Sequence, residues 1–224
     1  MSTDNSVQIA KTLLKKPHKV IELKQKRLNG GSRNEAYLHL SDDVDYVWYV
    51  DSDDWLKDKY VLERINTKLY DQPDVLFVGY ESFYGKDIEP EINLPFYKDK
   101  YDAMLGWSGS CGKVIKKELA TKPECLYNEG TLKEDKNQHC KICINMKSFE
   151  CLPQVLYVWN RTNKNSVTTK RDNILWITST IRHYADTKEL YLTYKGMDPE
   201  IDKILQNRIY AMEEELRDGG DRQW

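Results

Sequence analysis

The stretch DYVWYVDSDDWL, residues 45–56, constrains the fold of this chain more than any other. Tyr46 to Val50 is an unbroken apolar and aromatic run, which reads as a strand covered on both faces. Three carboxylates follow within four residues, Asp51, Asp53 and Asp54, before Trp55 and Leu56 restore apolar character. Acidic groups at the carboxyl end of a buried strand lie where open α/β sheets place their ligands. Crowded carboxylates repel one another and a hard cation relieves that repulsion, so the run reads as a metal site. A solvated acidic turn is the plain alternative, because Asp is common in turns. An EF-hand calcium loop fails on spacing: with Asp51 as first position, the sixth is Leu56 instead of Gly and the twelfth is Leu62 instead of Glu.

The flanking sequence alternates helix and strand. Val7, Ala10, Leu13 and Leu14 recur at helical spacing behind Asp4 or Ser6, predicting a helix over 5–15 that Pro17 closes. Val20, Ile21 and Leu23 predict a short strand over 19–24, broken at Asn29-Gly30-Gly31. A helix from Ser32 carries Ala36, Leu38 and Leu40 toward the strand at 45–51. Next come a helix over 58–71, a strand over Val75–Phe83 and an aromatic-rich loop over 85–110. GSCGKVIKKELA, residues 109–120, is a strand running into a helix, and a further helix runs from Glu134 to about Ser148, with Cys140, Ile144 and Phe149 inward. Residues 149–161 predict a strand pair interrupted at Pro153. Two helices close the chain: 172–194 with Ile174, Ile177, Ile181 and Tyr184 as its apolar stripe, and 198–216 with Ile201, Leu205, Ile209, Met212 and Leu216. Such alternation implies an α/β fold with a mostly parallel sheet.

The net charge of −2 over 224 residues gives no basic field for extended nucleic-acid binding. No apolar run reaches the eighteen or so residues that a membrane span needs, so any membrane contact is peripheral. Five scattered cysteines and a polar start point to a reducing, cytoplasmic setting. Cys140 and Cys143 beside His139 lack the second pair that structural zinc requires, and mid-helix cysteines read as core filling.

Taken together, several segments resemble the family 2 glycosyltransferases of GT-A fold. They are DSDDWL, Asn29-Gly30-Gly31-Ser32-Arg33-Asn34, GSCGKVIKKELA, the helix-opening Glu134-Asp135, and Tyr157-Val158-Trp159-Asn160-Arg161 with Asn165-Ser166-Val167-Thr168. The resemblance spans about 2–169, so residues 1–170 are expected to be a GT-A-like catalytic domain and 171–224 a helical extension. It implies transfer of a sugar, with inversion, from a nucleoside diphosphate sugar to an acceptor hydroxyl on a glycan or other molecule. In that reading Asp53 and Asp51 hold Mn²⁺ or Mg²⁺, the ions suited to all-oxygen ligands. Asp135, beside Glu134, is the general base; Asp51, Arg33, Arg161 and Lys164 contact the donor; and Trp107, Tyr101 and Tyr97 are candidate acceptor contacts. Read locally, Glu134 and Asp135 are also plain helix-dipole partners, and the aromatics plain core.

Ser2-Thr3-Asp4-Asn5-Ser6 resembles the tail of the family's Asp-Asp-Gly-Ser-Thr-Asp-x-Ser motif, which normally closes a second strand. The expectation is an N-terminally reduced sheet with an open edge, covered by a homodimer mate or another chain. Two other functions fit the same residues: a degenerate sugar- or protein-binding module, and a transferase acting on a modified nucleic-acid base.

Overall fold

The structure, a computed structural model, describes residues 4–14, 18–163 and 173–217. Its centre is β3 (Val75–Phe83), whose first eight residues are buried. It pairs in parallel with β6 (Phe149–Asn160) and antiparallel with β5 (Lys113–Lys116). Beyond β5 lies β1 (Tyr46–Trp48), beyond β6 lies β2 (Trp55–Leu56), and β4 (Glu91–Asn93) pairs with the end of β3. The α/β class is as expected. The sheet is mixed: β1, β3 and β6 run in one direction, while β5 enters antiparallel between β1 and β3.

Several local expectations change. Residues 19–24 form no strand; no described strand offers them a ladder, and a lone extended segment leaves its backbone groups to water. β1 is three residues long and lies at the sheet edge, so Tyr46, Val47 and Trp48 are half-buried and Val50 is 48% exposed. Residues 149–160 are one strand, because Pro153 and Gln154 are absorbed by a bulge where the register steps from Val78↔Leu152 to Gly79↔Val155. The loop at 85–110 contains α4 (Lys100–Leu105), capped by the Asp99 carboxylate, which accepts from the Tyr101 and Asp102 amides.

Around the sheet lie α1 (Ser6–Leu13), α2 (Leu28–Tyr37), α3 (Val61–Lys68), α5 (Lys117–Ala120), α6 (Glu134–Asn145), α7 (Asn173–Tyr194) and α8 (Pro199–Arg217). The main core joins Val75, Phe77 and Ile115 of the sheet to Cys140 and Ile142 of α6, Leu190 of α7 and Ile201, Ile204 and Leu205 of α8. The closing helices therefore share the core of the sheet. α8 buries Ile201, Leu205 and Met212 as its periodicity predicts. α7 does not follow its apolar stripe: Ile174, Ile177 and Ile181 are 77%, 47% and 51% exposed. Its inward face is Ser179, Thr180, His183, Thr187 and Leu190, because the surface it meets on α6 is polar and Thr187 donates to the Asn137 side-chain oxygen at 2.9 Å.

All five cysteines are free, and four are buried, as expected of core filling. No helix among the described residues is long and apolar enough to cross a membrane.

Candidate functional site

α2 brings the site together. Asn29, Gly30 and Gly31 lie inside its first turns, not in a turn before it. A Cβ on Gly30 would stand 3.0 Å from the Asn128 carbonyl oxygen and 3.1 Å from the Glu134 side chain, so glycine is what lets α2 approach the start of α6. Asn34 fixes the register by donating to the Tyr127 carbonyl at 2.9 Å and accepting from the Tyr127 amide at 3.0 Å. Arg27 adds ion pairs to Glu35 and Glu129, each at 2.6 Å.

Arg33 is the joint that results. Its guanidinium donates to Asp51 at 3.0 Å and to Glu134 at 3.0 Å, and it lies 5.3 Å from the ring centroids of Tyr49 and Tyr127. One planar cation thus spans the acidic loop after β1 and the acidic start of α6, motifs more than eighty residues apart in sequence. Glu134 is buried, and burial, with the neighbouring Asp135 charge, pushes its carboxyl up to about 7 despite Arg33. Asp135 is half-buried and is raised by desolvation, against the pull of Lys113 and Lys136. Its carboxylate takes no side-chain hydrogen bond from any described residue.

Two residues that pattern reading passed over support this centre. Lys113 is fully buried on β5, donates to the carbonyls of Ser108 and Gly109 at 2.7 and 2.9 Å, and is pushed down to about 8 by desolvation. The available signal was a lysine directly before Val114 and Ile115 in the predicted strand. Tyr157 donates to Asp54 at 2.5 Å and accepts from the Asp51 amide at 3.1 Å, pinning the acidic loop to β6.

The three aspartates consequently separate in role. Asp54 is held by Tyr157 and by the Asn160 amide at 2.8 Å, which makes it a loop anchor. Asp51 and Asp53 carry Arg33 and Asn163 as partners, both near the surface. No group of three His, Cys, Asp or Glu side chains among the described residues could hold a metal ion by itself. That donor set fits Mg²⁺ or Mn²⁺, which bind through one or two carboxylates and complete their shell with water and substrate phosphate.

Arg161 follows β6, with its guanidinium 4.2 Å from the Trp159 ring centroid and its amide bonded to the Phe83 carbonyl at 2.8 Å. It forms no ion pair with a described residue. Trp107 stacks on Tyr80 at 3.8 Å with Trp159 beside it, in the aromatic cluster that contains Tyr157. A Cβ on Gly109 would meet the Trp107 ring at 2.2 Å, so glycine there seats the indole. The other two aromatic candidates lie elsewhere: Tyr97 packs edge-on against Phe77 at 4.9 Å in the main core, and Tyr101 donates to Asp198 at 2.7 Å, tying α4 to α8. Lys164 and the Asn165–Thr168 segment lie outside the described residues.

The model of glycosyl transferase family 2 matches residues 1–115, a span that holds Arg33, Asp51 and Asp53 and stops before α6. Among solved structures, S. aureus TarS 1–349 in complex with UDP-GlcNAc is similar at a TM-score of 0.68 and 17% identity, over 94% of this chain and 61% of that one. S. aureus TarS 1–349 without a named ligand gives a TM-score of 0.58 at 18% identity, over 98% and 80%. This chain spans about three fifths of the length of the first of these. No curated protein matches the chain in sequence.

Proposed function

The chain belongs to glycosyl transferase family 2, and on that premise we propose that it moves a sugar from a nucleoside diphosphate sugar to an acceptor hydroxyl, inverting the anomeric centre. The observation that carries the reading is Arg33, bonded at once to Asp51 of the acidic loop and Glu134 of α6. It ties the two acidic motifs together.

In this reading Asp51 and Asp53 hold Mn²⁺ or Mg²⁺, which supplies charge to offset the departing diphosphate. Arg161, stacked on Trp159 and without a carboxylate partner among the described residues, faces the same diphosphate. Lys164 is the secondary candidate. Asp135, with no side-chain donor of its own, takes the proton from the acceptor hydroxyl as the hydroxyl oxygen bonds to the anomeric carbon and the bond to the diphosphate breaks. Glu134 is a positioning residue, since its carboxylate is spent on Arg33. Trp107 is the aromatic best placed for the acceptor, while Tyr97 and Tyr101 are engaged elsewhere.

Because the similar TarS structure holds UDP-GlcNAc, UDP sugars are the first donors to test. Thermal melts with UDP, GDP and dTDP sugars, with and without Mn²⁺, test the donor directly. A ligand at a hundredfold its Kd adds about 2.7 kcal/mol to stability. A shift with one nucleotide that needs Mn²⁺ supports the reading. No shift with any nucleotide sugar overturns it in favour of a non-catalytic module.

A further inference from the structure

A second charged centre lies across α6 from Arg33. Successive helical residues turn by about 100°, so Lys136 projects roughly opposite Glu134. With His183 of α7 and Arg208, Ala211, Met212 and Glu215 of α8 it lines a cavity of about 120 Å³. A water's share of liquid volume is about 30 Å³, so there is room for a small polyatomic ion.

The charges in this cavity do not balance. Lys133, 5% exposed, is paired with Glu215 at 2.8 Å and stands 4.7 Å from the Trp176 ring centroid. That pairing uses the only carboxylate among the lining residues. The Lys136 ammonium makes no hydrogen bond or ion pair with a described residue, and it is pushed down by desolvation and by Lys133 against the pull of Asp135 and Glu215. Arg208 donates to the Met104 carbonyl at 2.7 Å, pairs with no described carboxylate, and leaves its buried Nε without a partner. His183 is 4% exposed with Nδ1 unpartnered. Three cations and a buried imidazole thus meet one described lining carboxylate, Glu215, with Asp135 of α6 also acting on Lys136. Buried donors left unsatisfied cost stability, and a ligand that accepts from them recovers that cost.

We propose that this cavity binds a tetrahedral phosphate-class oxyanion, with Lys136 and Arg208 supplying the charge and His183 a ring N–H. The site is separate from the donor site: Lys136, His183 and Arg208 project from three helices behind α6, and none touches Asp51, Asp53 or Arg161. Bound there, the anion would cross-link α6, α7 and α8 and stiffen the support of Asp135. The shared chemistry comes from free phosphate or from a phosphate ester, and the test separates them.

The test is thermal melting of the full chain in inorganic phosphate, in glycerol phosphate, and in sodium chloride at matched ionic strength. At about tenfold over Kd the midpoint is expected to rise by about 3–6 °C over the chloride control. A shift with inorganic phosphate assigns the cavity to the free ion, and a shift with the ester alone assigns it to an esterified group. Lys136→Gln, which removes an unpaired desolvated charge and should fold, is expected to abolish the shift. Arg208→Gln should do the same, and if it fails to fold Lys136→Gln still decides. Arg161→Gln is expected to keep the shift. No shift beyond chloride, an unchanged shift in Lys136→Gln, or a shift lost in Arg161→Gln would overturn the proposal, the last by placing the phosphate at the donor site. Because Arg161→Gln reports on the donor site alone, failure here leaves the transferase reading separately testable.

Discussion

The two flanks of α6 bury charge in opposite ways. Toward α2, two cations, Arg33 and the buried Lys113, face three carboxylates, Asp51, Glu134 and Asp135. Toward α8, three cations face one described lining carboxylate, Glu215, with Asp135 reaching only Lys136 among them. Desolvation raises the carboxyls of the first flank, Glu134 to about 7, and lowers the bases of the second, His183 to about 3. The difference teaches which ligand each flank suits. The acid-rich flank suits a cation and the base-rich flank suits an anion.

The largest expected effect lies on the acid-rich flank. Asp135→Asn should lower turnover by about a hundredfold or more while donor affinity holds, the scale of a lost general base. Single-turnover rates against calorimetric affinity separate the two quantities. If Glu134→Gln is crippling and Asp135→Asn mild, the roles of the two carboxylates are exchanged. Next in size, Arg33→Met should destabilise the fold by about 3 kcal/mol, because it leaves Glu134 buried without its partner. Glu134→Gln in that background should recover part of the loss in chemical denaturation, and additive losses would contradict the coupling. Arg161→Gln should weaken donor binding about tenfold, the scale of one charge-assisted hydrogen bond. An unchanged Kd removes Arg161 from the donor site.

The smallest effects sharpen the contrast through pH. Glu134 is raised in the folded state, so its favourable contribution is complete below its unfolded value of 4.5 and fades as pH rises through about 7. The stability of Glu134→Gln relative to the parent should therefore improve between pH 5 and pH 8. His183 is lowered, so its contribution is present above 6.5 and lost as pH falls toward 3. His183→Gln should gain on the parent as pH falls from 7 to 4. Parallel slopes from the two variants would erase the distinction between the flanks.

Much of this was legible in the residues. The strand at Val75–Phe83, the strand-to-helix step at Lys113–Ala120 and the acidic opening of α6 follow from periodicity and local charge. The failures share a cause, which is that partners distant in sequence override local pattern. Residues 19–24 alternate correctly and find no strand to pair with. α7 carries an apolar stripe, yet it turns Ser179, His183 and Thr187 inward because Asn137 and Leu132 on the facing segment offer polar groups. At the site, the types of Asp51, Asp53 and Asp135 were readable, but the diversion of Asp54 to Tyr157 and the double pairing of Arg33 were not. Spacing along the chain carries no record of which side chains meet across 100 residues.

The most direct test of the proposed metal-dependent donor site is calorimetric titration of UDP into the parent and Asp53→Ala, each with Mn²⁺ and with EDTA. With Asp51 and Asp53 as the carboxylates proposed among the described residues, a metal should bind well only alongside the diphosphate. The parent should therefore gain about tenfold or more in UDP affinity from Mn²⁺, and Asp53→Ala should lose that gain while melting at the parent's temperature. An equal Mn²⁺ enhancement in Asp53→Ala would contradict it.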